Sequence, residues 1–296
     1  MRKSIVFYSE GCKLVGDLFL PNTTPNGQGV PAIILCHGFA GIREILLPPY
    51  AEAFAGAGFA ALIFDYRGFG DSEGERGRLV PAEQIADIRN AITFLETLPE
   101  IAADRIGLWG TSFGGANAIC TAARDSRVKC LAVQITFGSG ERMVTGGLSD
   151  AEREKLLNTI QKAWQRAVTK NKPLYLTLDQ ILTDPDSKAF YQQMVERVPK
   201  LKTRLPLLTI RESMEYKPED CLAAVQVPIL IIGADQDIVC PFEESKTLFT
   251  KARPPKELTL IAGARHYEVY EGEYFKQSSG KAIEWFKKYL NADRDG

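Results

Sequence analysis

Four short runs dominated by apolar residues constrain this chain more than any other feature. They are Ala32-Ile33-Ile34-Leu35-Cys36, Ala60-Ala61-Leu62-Ile63-Phe64, Arg105-Ile106-Gly107-Leu108-Trp109 and residues 128–135. A strand with one face in water alternates apolar and polar residues, whereas a near-continuous apolar run of this length is what a strand buried on both faces requires. Helical patterns separate the runs, at 50–57, at 81–98 and in the small-residue stretch 114–123. In the second, Ile85, Ile88, Ala91, Ile92 and Leu95 fall on one face. Strands alternating with helices predict a mostly parallel sheet covered by helices on both sides, an α/β fold.

Two further strands, 4–8 and 14–20, precede these runs and are joined by a turn at Glu10-Gly11. A loop follows at 21–27, marked by its Pro, Asn and Gly content. The strand–helix rhythm resumes late, with strand 227–233, helix 242–251, strand 257–261 and a last helix 277–290. Between the two halves the rhythm breaks, and helical patterns at 150–169, 177–182 and 187–195 take over. The chain therefore divides into a core, 1–138 with 219–296, and a helical cap insertion, 139–218. The cap is expected over the C-terminal edge of the sheet, where open α/β sheets bind ligands. Its Trp164, Tyr175, Phe190 and Tyr191 are as suited to packing as to lining a pocket.

The strongest local signal is Gly110-Thr111-Ser112-Phe113-Gly114, placed between an apolar strand and a small-residue helix. A G-x-S-x-G in that setting makes a sharp turn that exposes the serine at the sheet edge and at a helix N-terminus, where developing negative charge is stabilised. Ser112 is thus the candidate nucleophile. A serine hydroxyl needs a base, and the chain has two histidines. His37 precedes Gly38-Phe39-Ala40-Gly41 directly after a buried strand, which suits a loop-holding role. His266 follows the last strand and is the candidate base. The loop after strand 227–233 offers Asp237, with Asp235 as the alternative, for the carboxylate that orients the base. The backbone N–H groups of Phe39 and Phe113 are the candidate oxyanion-hole donors.

These segments, with Phe64-Asp65-Tyr66-Arg67-Gly68-Phe69-Gly70-Asp71-Ser72-Glu73-Gly74 and Tyr270-Glu271-Gly272-Glu273, resemble the α/β-hydrolase superfamily. Within it the chain is similar to the group of Xaa-Pro dipeptidyl-peptidase-like and dienelactone-hydrolase-like serine hydrolases. The resemblance covers 1–138 and 226–290 well and the insertion weakly. It implies that Ser112, Asp237 and His266 form a triad, that Phe39 and Phe113 supply the oxyanion N–H groups, and that the Asp65-Tyr66-Arg67-Gly68 turn is structural. One position departs from the pattern: relatives usually carry glycine before the last histidine, and Arg265 stands here. Such an arginine is either exposed or placed to meet an anionic substrate group.

The expected chemistry is two-step acyl transfer on a small carboxylic ester, with no cofactor and no metal required. A thioesterase or acyltransferase acting on a carrier- or coenzyme A-bound acyl group uses the same residues. So does a hydrolase of an activated C–C or amide bond, and fold does not choose among them. A non-catalytic binding protein is the remote alternative, since it needs no triad. Thirty-six basic against 37 acidic residues create no field for nucleic acid or an anionic membrane. No apolar run approaches the ~20 residues that span a bilayer, and the N-terminus lacks a signal-peptide pattern, so a cytoplasmic protein is expected. The expected partner is a small acyl substrate, and a homodimer is left open. The six cysteines, at 12, 36, 120, 130, 221 and 240, are scattered without a C-x-x-C pair, and reduced, buried thiols are expected of them.

Overall fold

The computed structural model describes residues 1–22 and 29–291. Most of the loop expected at 21–27 lies outside the described residues. The chain opens with the hairpin β1 (Arg2–Ser9) and β2 (Cys12–Phe19), joined by Glu10 and Gly11, both at positive φ. The order then runs β3 (Val30–Cys36), α1 (Leu47–Gly56), β4 (Ala60–Phe64), α2 (Pro81–Glu96), β5 (Ile101–Thr111), α3 (Phe113–Ala122) and β6 (Val128–Gln134). An inserted segment carries α4 (Gly140–Thr145), α5 (Asp150–Lys170), β7 (Tyr175–Thr177), α6 (Leu178–Ile181), α7 (Pro185–Arg197), β8 (Arg204–Pro206), α8 (Leu208–Glu215) and α9 (Pro218–Cys221). The chain closes with β9 (Ile229–Ala234), α10 (Phe242–Lys251), β10 (Lys256–Ile261) and α11 (Gly272–Leu290).

Eight strands form one sheet in the order β1-β2-β4-β3-β5-β6-β9-β10. Pairings from β4 to β10 are parallel, and β1 and β2 are antiparallel at one edge. This is the α/β-hydrolase fold expected from the sequence. The apolar runs are explained by the pleat: Ile34, Leu62 and Leu108 face the cluster under α2 and α3, while Ile33, Ile63 and Trp109 face the cluster under α1 and α11. Both faces of each central strand are therefore dry.

The strand order also places the site. From β3 the chain steps one way to β4 and then back across to β5 on the other side. Neighbouring strands whose connections diverge leave a crevice at their C-terminal ends. Cys36, the last residue of β3, pairs with Gly110 of β5, so the loop beginning at His37 and the turn holding Ser112 emerge side by side.

The insertion is mainly helical, as its sequence pattern leads one to expect, and adds one detail: β7 and β8 pair into a small antiparallel ribbon, Leu176 opposite Leu205. Three-residue strands are too short to leave a periodic signal. One expectation is corrected: Cys120 and Cys221 are joined in a disulfide, with Cα atoms 5.4 Å apart, and so are not the reduced thiols expected. Cys12, Cys36, Cys130 and Cys240 are free. The bond ties α3, the helix that follows Ser112, to the end of α9, across a sequence separation of 101 residues. That loop contains all of α4 to α8. Closing a loop of about 100 residues restricts the unfolded chain by up to ~4.7 kcal/mol. Reduction, or Cys221→Ser, is accordingly expected to lower the melting temperature by several degrees, read by thermal denaturation with and without reductant. An unchanged melting temperature would show that the bond contributes nothing.

Candidate active site

Ser112 occupies the turn between β5 and α3 at φ 52 and ψ −125. A non-glycine residue in that region is strained by about 1–3 kcal/mol and persists only where its surroundings hold it. The surroundings are specific. The Ser112 N–H donates to the Gln134 carbonyl at 3.0 Å, and the Thr136 hydroxyl donates to the Ser112 carbonyl at 2.7 Å. A Cβ at Gly110 would run into the Gly114 carbonyl, and one at Gly114 into the Cys36 carbonyl. The glycines of the motif thus let the turn close against β3.

His266 is buried at 2% exposure in the loop between β10 and α11. Its Nδ1 lies 2.7 Å from Oδ2 of Asp237. The other carboxylate oxygen of Asp237 accepts the N–H groups of Val239 and Cys240, each at 2.8 Å. A carboxylate fixed by three hydrogen bonds has little freedom to leave the imidazole. Asp235 does something else: its Oδ1 accepts the Gly263 N–H at 2.6 Å and steadies the same loop from outside. The geometry therefore separates the two aspartates that the sequence left as alternatives.

The loop after β3 is held from below. His37 is buried, its Nδ1 lies 3.1 Å from the Gly38 carbonyl, and its ring sits 4.5 Å from that of Tyr66. Burial lowers its pKa below the ordinary histidine value, which keeps it neutral. Arg43 anchors the far end: its backbone N–H donates to Asp65 at 2.7 Å, and its guanidinium pairs with Asp65, with Asp17 at 3.2 Å and with Asp71 at 2.8 Å. This gives the Asp65-Tyr66-Arg67-Gly68 turn its structural work. Among the described residues, neither the Phe39 nor the Phe113 backbone N–H has a protein acceptor. Both residues line the same cavity as Ser112.

That cavity measures about 770 Å³ and is bounded by Ser112, His266, the loop after β3 and the inserted segment. Its walls include Met143, Leu156, Leu178, Phe190, Tyr191 and Ile210, none of which the sequence singled out for certain. Phe190 and Tyr191 thus face the cavity. Trp164 lies instead beneath the Arg211 guanidinium, 4.0 Å from ring centroid to cation, and Tyr175 belongs to the β7–β8 ribbon. The charged wall residues are Glu152 and Lys155 on the exposed side of α5, and Asp184. Cys240, whose N–H Asp237 accepts, is buried beside the site, and burial pushes its thiol well above the usual range, which keeps it protonated. Arg265 is exposed and pairs with Glu268 at 2.9 Å and Asp186 at 3.5 Å, outside the cavity wall.

Residues 28–273 match the sequence model of the family described as serine aminopeptidase, S33. The chain belongs to this family of α/β hydrolases. It is 45% identical over 261 residues to an uncharacterised 31.7 kDa protein of the traX-finO intergenic region of Escherichia coli, covering 88% of this chain and 91% of that one. It is 32% identical over 286 residues to the thiohydrolase aneE of Aspergillus aculeatus, covering 90% and 86%. Among solved structures it is similar to DcsB in complex with a substrate analogue, at TM-score 0.85 and 26% identity, covering 98% of this chain and all of the other. The α/β-hydrolase superfamily expected from the motifs therefore stands. No helix among the described residues is long and apolar enough to cross a membrane.

Proposed function

We propose that this chain is a serine hydrolase that cleaves carboxylic esters of uncharged, largely apolar acyl groups through an acyl-enzyme. The observation that carries the proposal is the buried His266–Asp237 pair, at 2.7 Å, opening onto one cavity with a serine held in a strained strand–helix turn. In this reading Ser112 Oγ attacks the carbonyl carbon as His266 Nε2 takes its proton. Asp237 keeps the other proton on Nδ1, which leaves Nε2 free to accept, and stabilises the imidazolium. The negative charge on the carbonyl oxygen is met by the N–H groups of Phe39 and Phe113, each contributing about 3–4 kcal/mol to the transition state. The tetrahedral adduct collapses, the alkoxide leaves with the proton from His266, and Ser112 retains the acyl group. A water then repeats the sequence with His266 as base, releasing the carboxylic acid and restoring the serine.

The inserted segment, 139–218, serves as the cap that receives the acyl chain. A cavity of this volume is in the range that encloses a small organic ligand, and among the described residues the one lysine or arginine on its wall, Lys155, stands on the exposed side of α5. The 32% identity to a protein named a thiohydrolase favours one second reading, in which the acyl group arrives as a thioester. Both readings are tested with p-nitrophenyl esters and the matching thioesters, from acetyl to decanoyl. Since a buried methylene contributes ~0.8 kcal/mol, kcat/KM is expected to rise by about tenfold or more from acetyl to the best chain. A preference for oxygen esters supports the first reading, and a thioester preference of tenfold or so supports the second. A flat chain-length profile would contradict the assignment of the cavity as an acyl pocket.

A further inference from the structure

The loop that carries His266 is gripped by the inserted segment as well as by the sheet. The Tyr267 hydroxyl donates to Oγ of Ser187 at 3.0 Å. The Tyr267 ring stacks on Phe190, with centroids 4.1 Å apart and planes at 12°. The same ring stands edge-on to the His266 imidazole, at 4.9 Å. Ser187 is 1% exposed in the first turn of α7, where its own N–H is fixed by Asp184 at 2.7 Å. Phe190 lies three residues further along α7, on the same face, so one helix face holds both the tip and the flat side of Tyr267.

We propose that Tyr267 is a positioning residue that couples the docking of α7 to the aim of His266. The inference rests on the reading of His266 as the catalytic base. Asp237 holds the imidazole at Nδ1, and a single hydrogen bond leaves the ring able to swing about that contact. The Tyr267 ring, packed against the imidazole at 74°, blocks the swing on one side. Tyr267 is in turn fixed by α7, through a hydroxyl that needs a partner when enclosed and a ring that needs a packing surface. When α7 is docked, Nε2 is held in line; when α7 lifts, Tyr267 loses both contacts and the imidazole gains freedom. The inserted segment thereby does more than enclose the acyl chain: it completes the catalytic geometry.

The test uses Tyr267→Phe, which keeps the ring and removes one hydroxyl, Ser187→Ala, and the double variant. With p-nitrophenyl acetate, too short to depend on the cap wall, each single variant is expected to lose about fivefold in kcat, the worth of one hydrogen bond, with KM unchanged. The double variant loses no more than either single, because the same bond is already absent. Hydrogen exchange at 185–197 and at 265–270 is expected to rise together in all three. Wild-type kcat in either single variant, losses that multiply in the double, or exchange that rises in one segment alone would overturn the coupling. If the unmodified protein hydrolyses no ester, the hydrolase reading falls, and the exchange comparison by itself still decides whether the two segments are coupled.

Discussion

Ser112→Ala is expected to lower kcat for ester hydrolysis by about a millionfold while leaving the melting temperature within a degree or two of the parent. The size follows from the role: with no oxygen to acylate, only binding and the oxyanion donors remain to accelerate attack by water. The preserved fold follows from the backbone. Alanine meets the same penalty at φ 52 that serine already meets, and the bonds that hold the turn are made by backbone atoms of residue 112. Steady-state kinetics and thermal denaturation on the same preparation separate the two effects. A variant that keeps more than about a tenth of the parental kcat would remove Ser112 from the mechanism.

Asp237→Asn is expected to cost about 10⁴-fold in kcat, against less than about threefold for Asp235→Asn. An asparagine at 237 presents either an N–H or a carbonyl to His266. The two N–H groups of Val239 and Cys240 claim the oxygen at Oδ1, which turns the amide nitrogen toward Nδ1. Nδ1 must then accept, the ring proton moves to Nε2, and the base can no longer take the serine proton. At 235 the substitution is mild, because an amide oxygen still accepts the Gly263 N–H. Comparing kcat for the two variants at one pH reads the difference, and the reverse ranking would transfer the orienting role to Asp235.

What the sequence discloses here follows the range of the interactions involved. Ser112 and the strands around it are legible because the turn is local: five consecutive residues encode strand end, glycine gap, nucleophile and helix start. His266 is legible by position, as one of two histidines and the one after the last strand. Asp237 is the first choice in sequence, with Asp235 as the alternative, but both lie in one short loop, and which carboxylate turns inward is visible only in the fold. The cap lining is hidden for a different reason. On α5 and α7 an apolar residue facing the cavity and one facing a neighbouring helix have the same period, so Phe190 and Trp164 look alike in sequence and part ways in space. The Cys120–Cys221 bond joins residues 101 apart with no spacing signature, and neither cysteine differs locally from the four that stay free. The contact of Tyr267 with Ser187 and Phe190 is of the same kind, set by how the inserted segment folds back over the sheet.

The central claim is that Ser112 is an activated nucleophile, and the most direct measurement is reaction of the folded protein with a fluorophosphonate, followed by peptide mapping. Phosphonylation at Ser112, lost in Ser112→Ala and strongly slowed in Asp237→Asn, is the predicted result. A folded sample that hydrolyses esters yet is labelled elsewhere, or is not labelled at all, would contradict it.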